Sequence, residues 1–242
     1  MLKINFKILK TLNSRNLNTS LLLIIIASLI GCKKDEPKVT DIDGNSYHTV
    51  TIGSQVWMIE NLKTTKYNDG TSIPLVTDVT AWSNLSGPGY CWYNNSAITY
   101  KDTYGALYNW YTVSTAKLCP TGWHVPTDAE WHTLVLYLDA NAVLFSNPES
   151  LIAGGKLKET GTTHWQVPNA GATNETGFTA TPGGNRDEIG GFLGIGLTGI
   201  WWSSSVESYL GLNRYLLSGY SGIGLGGDDK RDGNSVRCIK DK

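Results

Sequence analysis

Apolar positions along residues 127–138 recur with a helical period. Trp131, Leu134, Val135 and Leu138 fall at i, i+3, i+4 and i+7, so one stripe of the segment is apolar. Thr127 and Glu130 have the Thr-x-x-Glu spacing of a capping box, and Pro126 keeps the helix from starting earlier. The pattern predicts a helix over 127–138 that buries one face. Tyr104, Leu107, Tyr108 and Tyr111 repeat the spacing behind a capping Asp102, which predicts a second helix over about 103–114. Gly105 weakens that helix and marks a place where another element packs closely.

The rest of the chain reads as short strands and turns. Tyr47, Thr49 and Thr51 alternate with His48, Val50 and Ile52; Gly53-Ser54 turns the chain, and 55–59 runs back as a hairpin. Asp43-Gly44 and Asn68-Asp69-Gly70 are turn signals. Residues 71–89 are loop, Tyr90 to Tyr93 a short strand, and 140–175 a surface loop with a helical turn around 149–158. Residues 176–184 are extended into a turn. Ile200-Trp201-Trp202-Ser203-Ser204-Ser205 is a buried strand leaving the core, and 213–219 is another. Residues 226–234 form an exposed loop before a terminal strand at 235–240. No internal repeat and no second domain is visible. The pattern thus reads as two helices, short strands with one hairpin, and long loops.

The first residues follow a different pattern. Lys3, Lys7, Lys10 and Arg15 precede an apolar run from Leu21 to Ile30 that is too short to span a bilayer comfortably. It ends in Leu29-Ile30-Gly31-Cys32, which resembles a bacterial lipobox, so residues 1–31 read as a lipoprotein signal peptide and Cys32 as the lipidated residue. Residues 32–40 then read as the lipidated Cys and a charged tether, and 41–242 as a single domain. Lys34-Asp35-Glu36 resembles the Lys-acidic-acidic signal that sends lipoproteins to the outer face of the outer membrane in Bacteroidota. The expected location is therefore the outer membrane, lipid-anchored and facing the exterior. Acyl chains contribute roughly 0.8 kcal/mol per buried methylene, so several on Cys32 would anchor the chain firmly.

Removing the signal takes the formal charge from −1 to about −5. A modestly acidic domain without a basic stripe argues against a nucleic-acid partner. Nine Trp, twelve Tyr and 27 Gly against few Met and Phe fit a loop-rich architecture with amphipathic aromatics near the surface. Cys91, Cys119 and Cys238 remain after the signal. An oxidising compartment favours one disulfide with one thiol left over, and spacing alone leaves the pair open.

Most candidate chemistry has an ordinary structural reading. His132 and Asp128, one helical turn apart, with His124 or His164, are possible metal ligands but lack dense ligand spacing. Asp228, Asp229, Asp232 and Asn234 have hard oxygens for calcium, yet depart from the EF-hand spacing, and a solvated turn is the better reading. The Gly-rich 190–199 stretch lacks the context of a phosphate loop, and Ser203-Ser204-Ser205 has no assignable His and acid partner. No metal, no cofactor and no catalysis are expected. Aromatics give the sharper contrast, because Trp and Tyr stack on sugar faces and hydrogen-bond at their edges. Trp82, Trp92, Tyr93, Trp165, Tyr209, Tyr215 and Tyr220 fall in or beside loops; Trp57, Trp110, Trp123, Trp131 and Trp201 read as core.

Several stretches together resemble the Fibrobacter succinogenes major paralogous domain family. They are Asp41-Ile42-Asp43-Gly44-Asn45, Ile52-Gly53-Ser54-Gln55-Val56-Trp57-Met58, Glu60-Asn61-Leu62 and Tyr67-Asn68-Asp69-Gly70. The series continues with Tyr104 to Trp110, Cys119-Pro120-Thr121-Gly122-Trp123-His124-Val125-Pro126-Thr127, Trp201 to Ser205, and Ser235-Val236-Arg237-Cys238. The resemblance implies an α+β, C-type lectin-like fold: two helices with short, mostly antiparallel sheets and long loops, its terminal strands close together. It also implies the pairing Cys119–Cys238, with Cys91 as the free thiol. Pro126 to Trp131 is similar to a helix start of formylglycine-generating enzymes on the same fold. Their copper-binding cysteine pair has only Cys238 as a counterpart here. In related lectin-like proteins the stretch before the last strand displays the binding surface. That region, 206–234, contains Tyr209, Asn213, Arg214, Tyr215, Tyr220 and Asp228 as candidate ligand-binding residues. The resulting expectation is a surface lipoprotein that binds a glycan or a protein ligand in adhesion or recognition. The alternatives are an enzyme on the same fold or a structural envelope component.

Overall fold

The computed structural model describes residues 38–242. The signal peptide, Cys32 and most of the tether lie outside the described residues. Lys38–Thr40, expected in the tether, is instead a strand (β1) that pairs with Ser46–Ile52 (β2). No helix among the described residues is long and apolar enough to cross a membrane.

The predicted hairpin is present. β2 turns at Gly53 and runs back as β3, Gln55–Met58, in register Val50 with Trp57 and Ile52 with Gln55. Trp57 thereby points into the core. The chain's last strand, Ile239–Lys240 (β13), pairs with β3 on one side and with Trp123–His124 (β6) on the other. Start and end of the domain thus close one five-stranded antiparallel sheet, in the order β1-β2-β3-β13-β6.

The second sheet has eight strands. Its long hairpin is Thr198–Glu207 (β9) and Leu210–Leu217 (β10), flanked by Gly224–Asp228 (β11) on the outer edge. Inward from β9 lie Gly183–Arg186 (β7), Gly233–Asn234 (β12), Leu107–Asn109 (β5) and Tyr90–Cys91 (β4), with Phe192–Ile195 (β8) paired to β7. All pairs are antiparallel except β7 with β9.

The helix at 127–138 forms as predicted. Asp128–Leu138 starts behind Thr127, whose hydroxyl accepts from the Glu130 N–H at 3.2 Å, while Glu130 Oε2 accepts from the Thr127 N–H at 2.9 Å. Trp131, Leu134, Val135 and Leu138 are buried, and Trp131 packs on Trp57 with ring centroids 4.7 Å apart. The helix predicted over 103–114 does not form. A helix spans Ala97–Tyr104 and ends at Gly105; Leu107–Asn109 is strand, and Trp110–Val113 is one helical turn. The reason is local. Gly105 sits at φ 75°, and a Cβ there would lie 2.7 Å from the Leu62 carbonyl oxygen. Tyr108 then finds ladder partners in Tyr90 and Asn234, and tertiary pairing overrides helical spacing. Helical turns also occur at Val79–Ser83 and Ala153–Leu157, the second near the turn expected around 149–158. Among the described residues the helices therefore number more than the two expected.

Cys119 and Cys238 are bonded and buried, and Cys91 is a buried free thiol. The bridge ties the approach to β6 to the last strand. At a sequence separation of 119 it constrains the unfolded chain by about 5 kcal/mol in the loop-entropy account. Beside it, His124 lies between Asp241, with Nδ1 at 2.6 Å, and Glu130, with Nε2 at 3.0 Å. Burial opposes charge on this ring, but the two carboxylates outweigh it and raise its pKa above the usual value of 6.5.

Replacing both Cys119 and Cys238 by Ser should lower the unfolding free energy by up to about 5 kcal/mol in urea; a loss under about 1 kcal/mol would mean the bridge constrains little. The His124 contacts predict a pH effect of definite sign. A raised folded-state pKa gives stability that is fully present below pH 6.5 and lost as pH rises through the folded value. The difference in thermal midpoint between wild type and His124→Gln should therefore shrink above pH 6.5.

Candidate functional site

β10 places alternate side chains on opposite faces. Arg214 turns inward and is fully buried; Tyr215 turns outward and is half-buried. Tyr215 faces Gly224 of β11, and a Cβ on that glycine would lie 2.2 Å from Tyr215 Cζ. The absent side chain therefore lets the ring lie flat against the strand. Its hydroxyl donates to Asn147 Oδ1 at 2.7 Å, while no hydrogen bond among the described residues uses the Asn147 amide nitrogen. After β10 the chain turns back through Tyr220, which is 51% exposed. Asn147, Pro148, Tyr215, Leu217, Tyr220, Gly222 and Gly224 together line an open cleft of about 270 Å³.

The turn that carries Tyr220 is held from inside. Lys158 is completely buried, and its ammonium donates to the carbonyls of Ala170 at 2.8 Å, Leu217 at 3.1 Å and Tyr220 at 2.7 Å. Burial pushes its pKa down to about 8, which leaves it charged at neutral pH with three donors for three acceptors. The wall bearing Asn147 is held by a second buried network. Arg214 Nε donates to Glu149 Oε2 at 2.6 Å, Arg214 Nη1 donates to Asp128, and His132 Nδ1 meets the other Glu149 oxygen. One arginine thus ties β10, the start of the 128–138 helix and the cleft wall together.

The candidate residues divide accordingly. Tyr215 and Tyr220 share the cleft. Tyr209 is 74% exposed at the β9–β10 turn, at the far end of that hairpin. Asn213 and Arg214 are buried and have no surface to offer a ligand. Asp228 accepts from Asn234 at the opposite end of β11. Among the other loop aromatics, Trp82, Trp92, Tyr93 and Trp165 are buried and pack the interior beneath the loops. Trp110 and Trp123, expected in the core, are only partly buried. Sequence reasoning missed Asn147 and Lys158, because the 140–175 stretch carries no periodic pattern that would place them; Gly222 and Gly224 lie within the expected 206–234 region, where nothing in the sequence singles them out.

A profile of the Fibrobacter succinogenes major domain matches residues 50–240. The chain belongs to this family. No curated protein and no solved structure matches it. In this Fibrobacter succinogenes major domain the residues weighed for metal, thiol or acid–base chemistry have the following surroundings. His124 and Ser204 line one pocket, but both imidazole nitrogens are held by carboxylates. Cys238 is in the disulfide, and burial pushes the Cys91 thiol up to about 12, so among the described residues no thiolate pair lies near the last strand. Asp128, His132 and His164 each pair with a different protein group, and no three His, Cys, Asp or Glu among the described residues are set to hold a metal.

Arg214 is the common support, so its loss has a stated cost. Arg214→Leu leaves Glu149 and Asp128 buried without their cation and should lower stability by about 3–5 kcal/mol. Urea unfolding measures it, and a loss under about 1 kcal/mol would show the network to be dispensable.

Proposed function

We propose that this chain is a surface lipoprotein whose domain, a C-type lectin-like fold, binds a glycan without catalysis through the Tyr215–Tyr220 cleft. The closure of the first sheet by both ends of the domain and the Cys119–Cys238 bridge support the fold reading. The observation that carries the binding reading is the cleft itself. Two tyrosines with exposed ring surface stand beside a free amide nitrogen, in a groove whose walls are otherwise aliphatic or glycine. Rings cover the apolar faces of a sugar while hydroxyl and amide groups take its hydroxyls. No lining residue is charged. A neutral sugar loses less on desolvation in such a site than an ionic ligand does. The lipobox and the Lys34-Asp35-Glu36 segment support an outer-surface location, where glycans are encountered.

The test is a glycan and polysaccharide screen on the full chain, followed by titration calorimetry with the best ligand. Saturable binding that survives chelator is expected, because the cleft has no carboxylate to hold a metal. Tyr220→Ala should weaken it by at least about 1 kcal/mol, roughly fivefold, with the thermal midpoint unchanged. Unaltered affinity would move the binding surface elsewhere; no ligand across a broad screen would sink the reading.

A further inference from the structure

The cleft between Tyr215 and Tyr220 holds more than ring surface. Its floor is main chain. A Cβ on Gly222 would lie 2.6 Å from the Ser150 carbonyl oxygen, and one on Gly224 would lie 2.2 Å from Tyr215 Cζ, so neither position admits a side chain. The floor is tied to the wall that carries Asn147. The Ile223 N–H donates to the Ser150 carbonyl at 2.9 Å, and the Glu149 N–H donates to the Ile223 carbonyl at 2.9 Å. Ser221 Oγ donates to the Leu151 carbonyl at 2.8 Å. A cleft whose floor and wall are joined in this way is formed before any ligand arrives, which lowers the ordering cost of binding.

The polar groups of the cleft are few and unequal. Asn147 Oδ1 accepts from the Tyr215 hydroxyl at 2.7 Å, so the amide offers a ligand its donor side. What a ligand sets against Asn147 Nδ2 is therefore an acceptor. Sugars carry three common acceptors: a hydroxyl, a carboxylate and the carbonyl of an N-acetyl group. A carboxylate would lose hydration here and meet no cation, because no lining residue is charged and the Lys158 ammonium is engaged by three carbonyls. A hydroxyl can accept, but it leaves Pro148 and Leu217, the aliphatic side chains of the lining, without an apolar partner. An acetamido group answers both needs. Its carbonyl accepts from the amide nitrogen, and its methyl covers apolar surface.

We propose, resting on the glycan reading, that the cleft selects a sugar bearing an N-acetyl group, with Asn147 Nδ2 donating to the acetamido carbonyl and Pro148 and Leu217 seating the methyl. Tyr220, half-exposed on the opposite side of the lining, keeps its ring for the sugar face. The Tyr215 hydroxyl has given its proton to Asn147, so its oxygen is left to accept from a neighbouring sugar hydroxyl. One buried methyl and one added hydrogen bond together favour the acetylated sugar about 10-fold or more over the same sugar with a hydroxyl in that place.

The experiment is titration calorimetry of the full chain with matched sugars that differ only in this group: chitotetraose against cellotetraose, and N-acetylgalactosamine against galactose. In at least one pair the acetylated member should bind about 10-fold or more tightly than its counterpart. Asn147→Asp keeps an oxygen to receive the Tyr215 hydroxyl and exchanges the amide nitrogen for a second oxygen. The residue is exposed, so this variant should fold with its thermal midpoint unchanged. It should cut the preference to about threefold or less. Equal affinity within both pairs would overturn the N-acetyl assignment and leave the glycan reading intact. A preference that Asn147→Asp does not alter would overturn it too, since another surface would then read the acetyl group. Binding of no carbohydrate, in these pairs and in the broad screen, would sink the glycan reading and this assignment with it.

Discussion

Irregular segments carry carbonyl oxygens into the interior, where no ladder or helix meets them, and buried basic side chains supply the donors. Arg186 is fully buried and donates to the carbonyls of Val76 at 2.7 Å, Thr77 at 3.1 Å and Gly190 at 3.2 Å, with its guanidinium over the Trp82 ring. Arg237 donates to the Phe178 carbonyl and twice to Asn61 Oδ1, and lies over Phe178. Lys158 satisfies three carbonyls from two loops. An unpaired buried carbonyl costs about as much as a lost hydrogen bond, so long loops cannot pack inward without such donors. A planar fork with five donors on an aromatic face suits that task better than a neutral amide. This explains how a chain with short strands and few helical turns still buries six tryptophans almost completely.

Arg214 differs from the other three because its partners are carboxylates. Glu149 and Asp128 come from separate segments, so one cation fixes a loop, a helix start and a strand. Such networks give position more reliably than stability, since desolvation offsets much of the attraction. Position is what the cleft requires. Tyr215 follows Arg214 directly, and Asn147 stands two residues before Glu149. The same arginine that is hidden from any ligand therefore sets the distance across which Tyr215 reaches Asn147.

What the sequence discloses follows from the range of the interactions. The Thr127–Glu130 cap, the 128–138 stripe and the 46–58 hairpin are local, and each is read correctly. Leu107 to Asn109 is not, because its strand state depends on Tyr90 and Asn234, far away in the chain. Residue type misleads in the same way. Arg214, Trp82 and Trp165 look like surface candidates, since charge and loop position argue for exposure, yet distant partners bury them. The Asp228 to Asn234 turn is misread for the opposite reason. Its composition is that of a solvated loop, yet Asp232 to Asn234 are buried where β12 pairs with β5 and β7, while Asp228 to Arg231 stay partly exposed.

The cleft stands apart from every charged network around it. Glu149 and Arg214 neutralise one another behind its wall, Lys158 is spent on carbonyls beneath its turn, and the carboxylates of the β11–β12 turn lie at the other end of the strand. A protein ligand of ordinary polarity would meet no rim charge among the lining residues to orient it, whereas ring faces, a hydroxyl and an amide are what a neutral sugar needs. The acidic balance of the domain adds a weak, long-range repulsion toward anionic polymers, which salt shortens to about a Debye length of 8–10 Å. Scaffold charge and cleft are thus separated in space. The lining at Asn147, Tyr215 and Tyr220 can therefore change without disturbing the buried cations that hold it.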